Sequence, residues 1–193
     1  MIPSPSQSGF SLVETLVAIT VLLLVIVGPM SISSSVARST SYSSEQVVAF
    51  FLAQEGAELA QKARDDLQLQ FFDGTNLTPW ATFTGTTYAK CFEPTGCGLQ
   101  LIDGDADGRL EPPEDCGSAS CRLFIDSNGG RARYSYTTTG TTTPFTREIF
   151  MSSPAGAVDR EVEVTSRVSW QTGNQRRIQS VEAKTYLFNV YER

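Results

Sequence analysis

From Ser11 to about Met30 the chain is almost wholly Leu, Val, Ile, Ala and Thr, and after Glu14 no charge occurs until Arg38. About 20 apolar residues cross a bilayer core, so this stretch predicts one membrane span. Pro29 would remove a backbone hydrogen bond and crowd the preceding turn, which predicts a kink there. Past the serine-rich stretch Ser31–Ser35, apolar and small residues recur every three or four positions: Val48, Leu52, Gly56, Leu59, Ala63 and Leu67. That spacing marks one face of an amphipathic helix. Glu45, Gln54, Glu58, Gln61 and Arg64 fall mostly on other faces. Residues 10–68 therefore read as one long, bent N-terminal helix, with a membrane-spanning half at 10–31 and an amphipathic half at 32–68. Residues 70–98, rich in Gly, Thr, Pro and aromatics, predict an irregular connection with short strands. After Cys121 the pattern changes to period 2. Strands are predicted at Arg122–Asp126, Arg133–Thr138, Arg147–Met151, Val162–Trp170 and Arg177–Leu187, with a hairpin turn at Gln171–Gln175. The threonine tract 137–143 reads as a solvated loop. A long helix followed by a run of strands predicts an α+β fold, the helix packed on a small antiparallel sheet formed by residues 69–193.

The junction at the start of the apolar stretch carries the most information. Residues 1–9 are a short polar leader, and Gly9-Phe10-Ser11-Leu12-Val13-Glu14 follows. A carboxylate inside a membrane helix costs about 2.5–3.5 kcal/mol on insertion scales, so Glu14 needs a functional reason and a cationic partner. An ordinary secretory signal would have a basic segment before its apolar core and a small-residue cut site after it. Residues 1–9 contain no Lys or Arg, and an ordinary single-pass anchor has no use for an acid in its first turns. The junction resembles the class III signal of type IV prepilins and type II secretion pseudopilins. That resemblance implies cleavage after Gly9 by a membrane prepilin peptidase and N-methylation of Phe10 as the new N-terminus. It also implies assembly through Glu14, which contacts the free amine of a neighbouring subunit. One departure is the leader's lack of basic residues, which the positive-inside rule would normally use to set orientation.

The stretch Leu52–Asp65 resembles the post-membrane helix of minor pilin-like proteins of the I and V types, and the last two strands resemble the terminal hairpin of that class. The resemblance implies a minor pilin or pseudopilin in the inner or plasma membrane, its globular part outside the cytoplasm. Its expected partners are other pilin or pseudopilin subunits, the peptidase and the membrane.

Charge and composition narrow the chemistry. The chain has 193 residues and a formal net charge of −6, with no basic block, so no nucleic-acid partner is expected. It contains no histidine, which removes imidazole as base, metal ligand and pH switch within the chain. An enzyme is not expected. Cys91, Cys97, Cys116 and Cys121 form a compact, even set, which beside an export signal reads as two disulfides. Local pairs 91–97 and 116–121 are slightly favoured over the nested set 97–116 within 91–121. A four-cysteine zinc site is the rival, but the first pair misses the usual spacing.

Between these cysteines lies Asp103-Gly-Asp-Ala-Asp-Gly-Arg-Leu-Glu-Pro-Pro-Glu114, which satisfies the twelve-residue EF-hand loop pattern. Asp103, Asp105 and Asp107 take positions 1, 3 and 5, and Gly108 makes the sharp turn. Arg109 would offer its carbonyl, Glu111 a direct or water-borne oxygen, and Glu114 a bidentate carboxylate. Calcium takes six to eight oxygens, and this density of carboxylates suits it; a solvated acidic turn is the plain alternative. Pro112-Pro113 forbids the usual exiting helix, and no second loop is present. The expected cofactor is therefore calcium in a lone loop, inside a segment at about 91–121 inserted in the globular domain. The second functional reading is a membrane-tethered calcium-binding adhesin or binding module that does not polymerise. Asp126-Ser-Asn128 begins in a similar way without continuing and reads as a turn.

Overall fold

The computed structural model describes residues 9, 11–85, 87–102, 104, 108–117, 120–127, 132–154, 159–171 and 177–190. The chain divides after Ser44 into two units, Met1–Ser44 and Glu45–Arg193. Helix α1, Leu12–Phe72, contributes to both and continues through Pro29. In the first unit its large apolar side chains are exposed, from Leu12 at 82% to Val36 at 57%. An 18-residue window there has a mean hydropathy of 2.5, long and apolar enough to cross a membrane.

In the second unit α1 ends where Gly74 adopts a left-handed φ of 71°. The amides of Thr75 and Asn76 turn back to the Gln70 carbonyl at 2.9 and 3.1 Å. This is the usual way a helix C-terminus satisfies its last carbonyls, and it favours glycine. The face expected from spacing is the buried one. Leu52, Gly56, Leu59, Ala63 and Leu67 lie on it, and Ala49, Ala53, Ala57 and Ala60 widen it. Small residues let the helix backbone approach the sheet. At Gly56 an added Cβ would collide with Ser166 Oγ and come within 3.1 Å of Arg147 Cδ.

Among the described residues the sheet has seven antiparallel strands: β1 Cys97–Gly98, β2 Glu114–Asp115, β3 Arg122–Asp126, β4 Arg133–Ser135, β5 Thr141–Ser152, β6 Glu161–Trp170 and β7 Gln179–Phe188. β5 organises it. One edge of β5 pairs with β6 from Thr146↔Ser169 to Ser152↔Glu163. The other edge pairs first with β3 and then, at Ile149↔Cys97, with β1. β6 and β7 form a continuous ladder from Glu161↔Phe188 to Trp170↔Gln179, the hairpin expected from alternation. Residues 172–175 of its turn, and 128–130 of the turn after β3, lie outside the described residues. Inward positions follow period 2: Thr143, Phe145, Arg147, Ile149 and Met151 on β5, and Val162, Val164, Ser166, Val168 and Trp170 on β6.

Three expectations change. The threonine tract is not all loop, because Thr141–Thr143 open β5. Thr143 is buried and its hydroxyl donates to the Leu123 carbonyl at 2.6 Å. β-branched threonine suits a half-buried pleated surface. Pro144 follows at a position paired to neither neighbour, where a missing N–H costs nothing. The strand expected at Arg133–Thr138 stops at Ser135. The 70–98 connection contains a short helix, α2, at Pro79–Thr84 and a 3-10 turn at Ala89–Phe92. Proline in the first turn of α2 starts it, and its Trp80 and Phe83 are buried. They join Leu59, Ala60, Ala63, Leu67, Tyr88, Leu99, Ile149, Met151, Val162, Val164 and Leu187 in one core. Each fully buried aliphatic or aromatic side chain there contributes about 1.5–3 kcal/mol.

Candidate functional sites at the N-terminal junction and the acidic hairpin

Ser11 precedes α1, and its carbonyl accepts from the amides of Glu14 and Thr15 at 3.0 and 3.2 Å. Glu14 thus stands in the first turn, where the positive end of the helix favours a carboxylate. Gly9 is exposed, and Phe10 lies outside the described residues. Behind Glu14 the helix presents Leu16, Val17, Ile19 and the large apolar residues through Val27 exposed.

The cysteines pair locally, Cys91 with Cys97 and Cys116 with Cys121. The segment between Cys97 and Cys116 is a hairpin arm. Cys97 and Gly98 pair with Asp115 and Glu114 at its base. Farther out, Leu101 bridges Leu110, the Ile102 amide donates to the Arg109 carbonyl at 2.8 Å, and the Glu111 amide donates to the Gln100 carbonyl at 2.9 Å. The register slips by one residue between these two sets, at Pro112-Pro113, where no N–H is available for a ladder. Each foot of the arm is held by a disulfide. Both flanks of the loop are therefore strands pairing with each other, in place of the helices that flank an EF-hand loop.

Asp103, Asp105 and Asp107 lie outside the described residues. Gly108 has a left-handed φ of 63°, the conformation a sharp turn demands. Arg109 is exposed, and its carbonyl, already accepting from Ile102, has a second lone pair. Glu111 is half-buried at the mouth of the loop and accepts from Gln100 Nε2. Glu114 sits in β2 opposite Gly98. That is four residues down the return strand from Leu110, about 13 Å at 3.3 Å per residue. Glu111 and Glu114 line one shallow cavity together with Gln100, Pro112, Tyr136, Thr137 and Thr138. Partial burial, and then the Glu111 charge, hold the Glu114 carboxyl above its ordinary value. Among the described residues no group of three acidic or cysteine side chains is placed to hold a metal.

One functional arrangement was not anticipated. Arg147 is the largest fully buried side chain, 1% exposed, on the inward face of β5. Its guanidinium donates to the Glu55 carboxylate at 2.7 Å, to the Leu99 carbonyl at 3.1 Å and to the Tyr136 hydroxyl at 3.0 Å. It also lies 5.3 Å from the Tyr136 ring centroid, in cation–π contact. Burial by itself lowers its pKa, but Tyr136 and Glu55 more than compensate. Burial raises the Tyr136 hydroxyl, while Arg147 pulls it down. Glu55 keeps its side chain 48% exposed, so this pair desolvates one partner far more than the other. It latches α1 to the sheet. The signal was present in the period-2 parity of Arg147, Ile149 and Met151.

Neither a curated protein nor a solved structure matches the chain significantly. Residues 4–28, spanning Gly9, Phe10 and Glu14, match the prokaryotic N-terminal methylation motif, so the chain carries the signal of type IV pilins and pseudopilins.

Proposed function

We propose that the protein is a minor pilin or pseudopilin, a structural subunit of a type IV filament or type II secretion pseudopilus assembled through α1. The methylation motif at residues 4–28 carries this reading. The exposed apolar face of α1 and the placement of Glu14 in its first turn support it. A prepilin peptidase removes residues 1–9, and Phe10 becomes the methylated N-terminus. The span anchors the subunit in the inner or plasma membrane with the globular unit outside the cytoplasm. Glu14 of one subunit then neutralises the amine of Phe10 on another. Co-expression with a prepilin peptidase, followed by intact-mass measurement, tests the reading. Loss of residues 1–9 plus one methyl group is expected, and Gly9→Val should block the cut. An uncut chain beside an active peptidase would sink the proposal.

The acidic hairpin supports an added calcium-binding role. The tip residues Asp103, Asp105 and Asp107, with the Arg109 carbonyl and Glu111, supply hard oxygen donors of the kind calcium takes. Gly108 and the Leu101–Leu110 closure suit a tight loop. Engaging Glu114 as well requires β2 to part from β1. Extracellular loops of this type bind with Kd of roughly 10⁻⁴–10⁻³ M. At a hundredfold excess over Kd, calcium should add about 2.7 kcal/mol of stability. A melting curve of the full chain unmoved by about 10 mM calcium, well above that Kd range, would reduce the tip to an acidic turn. The same hairpin favours the second reading, a membrane-tethered calcium-binding module, which differs in having no need of Glu14.

A further inference from the structure

β7 pairs with β6 along one side, and among the described residues no strand pairs with its other side. Proteins usually blunt such an edge with proline, a bulge or an outward lysine, or keep it short. β4 is three residues long, and β2 is two, with Pro112-Pro113 just before it. β7 is ten residues long and free of proline, and its ladder runs without a bulge. Its lysine, Lys184, is drawn back over the sheet to Glu163 at 3.1 Å. The Asn189 amide donates to the carbonyl of Arg160, the residue opposite it in the continued register. By the alternation of an antiparallel ladder, odd-numbered residues of β7 bond to β6 and even-numbered ones turn their amides and carbonyls outward. Arg64 of α1 donates to the Phe188 carbonyl at 3.2 Å and closes that end. The open stretch therefore runs from Ser180 to Tyr186, with Ala183 at its centre.

We propose that β7 is a self-pairing edge, where two copies of this chain join antiparallel about a two-fold axis at Ala183. A two-fold interface must be complementary to itself about its centre, and the exposed side chains of β7 are. Glu182 faces Lys184 of the second copy, Ser180 faces its Tyr186, and Ile178 faces its Phe188. Within the chain Glu182 already holds Arg167 at 2.8 Å, as Lys184 holds Glu163. Pairing thus completes rows of alternating sign across both sheets: Arg167 and Glu182, then Lys184 and Glu163 of the second copy. Moving the axis one residue, to Glu182 or Lys184, sets like charges directly opposite each other, which is destabilising. On the inward face the half-buried Val181 meets Thr185, and Ala183 meets its own copy. The axis stands normal to the sheet, so the stretches of α1 packed on it, Ala49–Leu67, run in opposite directions in the pair. Under the proposed function the pair joins subunits of two oppositely directed fibres; that consequence rests on the pilin reading, and the pair itself does not.

Cysteine cross-linking of the full chain in detergent micelles tests this. Facing residues outside the hydrogen-bonded pairs have Cα atoms about 4.5 Å apart, within disulfide reach, and the four native cysteines are already paired. Ala183→Cys should give a disulfide-linked dimer under oxidised glutathione, several-fold more than Ser152→Cys at an exposed site on β5. Adding Glu182→Lys to Ala183→Cys should cut the yield several-fold, because like charges then face each other, and adding Lys184→Glu instead should do the same. An equal mixture of those two variants should recover the yield as the mixed dimer, since each supplies the charge the other lacks. Loss of an internal ion pair alone would not be mended by mixing. Equal yields at residues 183 and 152, or a mixture that links no better than either variant alone, overturns the pair and leaves the edge to a strand of another protein. Neither result touches prepilin processing, which intact mass reports, so the pilin reading stands or falls separately.

Discussion

The two parts of α1 make opposite uses of a helix. From Leu12 to Val36 it carries large branched side chains, all exposed, with a single acid, Glu14. From Ala49 to Leu67 its inward face is Ala, Gly and Leu, and it carries Glu55, whose cation Arg147 belongs to the same chain. Bulky aliphatics fill space against lipid or another helix. Small residues instead admit a sheet to within touching distance of the backbone, as Gly56 does against Ser166. The two acids differ in the same sense. Glu55 is neutralised inside its own fold, whereas our proposal has Glu14 wait for the amine of another subunit. Side-chain size, more than apolar content, tells which part of the helix is spoken for within the chain.

Removing the internal cation is the most severe way to break the contrast. Arg147→Met leaves the Leu99 carbonyl and Tyr136 hydroxyl buried without their donor. Breaking a buried pair costs about 3–5 kcal/mol. Half-exposed Glu55 can rehydrate, so a loss near the lower end is expected in denaturant titration. Removing the other acid should act on assembly alone. Glu14→Ala should insert as well as wild type, while its cross-linking into filaments falls by more than about tenfold, since losing one partner of a desolvated charge pair costs about 2–5 kcal/mol. Undiminished cross-linking would favour the tethered module. Gly56→Val tests the close approach, and overpacking there should cost about 1–3 kcal/mol in thermal melts, whereas the same change at exposed Gly28 should cost far less.

The smallest effect lies in the hairpin. Glu114 has a folded pKa above its unfolded one, so the folded state holds its proton more tightly. The stability this confers is present below the ordinary glutamate value and is lost as pH rises through the raised one. Glu114→Gln should therefore stabilise the protein at neutral pH, by under about 1 kcal/mol because solvent screens a group this exposed. It should also flatten the pH dependence of melting just above the ordinary glutamate pKa.

Elements with an unbroken period were legible in the sequence. The stripe from Leu52 to Leu67 and the alternation of β6 each report a surface with one dry side, and a dry side imposes the pattern directly; β7 follows the same alternation with its inward side half-buried. Short or low-complexity elements were not. α2 is too brief to show a period, and Thr141–Thr143 look like loop until β3 supplies Leu123 as a partner. At the junction, Gly9 and Glu14 announced themselves because a membrane makes an acid conspicuous. Arg147 did not, although parity placed it inward, because nothing in a linear chain says that Glu55, 92 residues away, lies above it. For the acidic segment, the ligand pattern was visible but its setting was not. The pairing of residues 97–102 with 109–115 depends on register across the loop, and Pro112-Pro113 forecast only that a helix would be refused.

That pairing makes the arm a replaceable cassette. It leaves the sheet at Cys97 and returns at Asp115, two residues that face each other in a ladder; Cys97 is tied to Cys91, and Cys116, next after Asp115, is tied to Cys121. A strand pair holds its ends at a fixed separation whatever lies beyond them, so the tip can be lengthened, shortened or exchanged for an unrelated peptide without shifting β5 beneath it. If the chain enters a fibre as proposed, a sequence grafted at this point would be carried into the assembly with it.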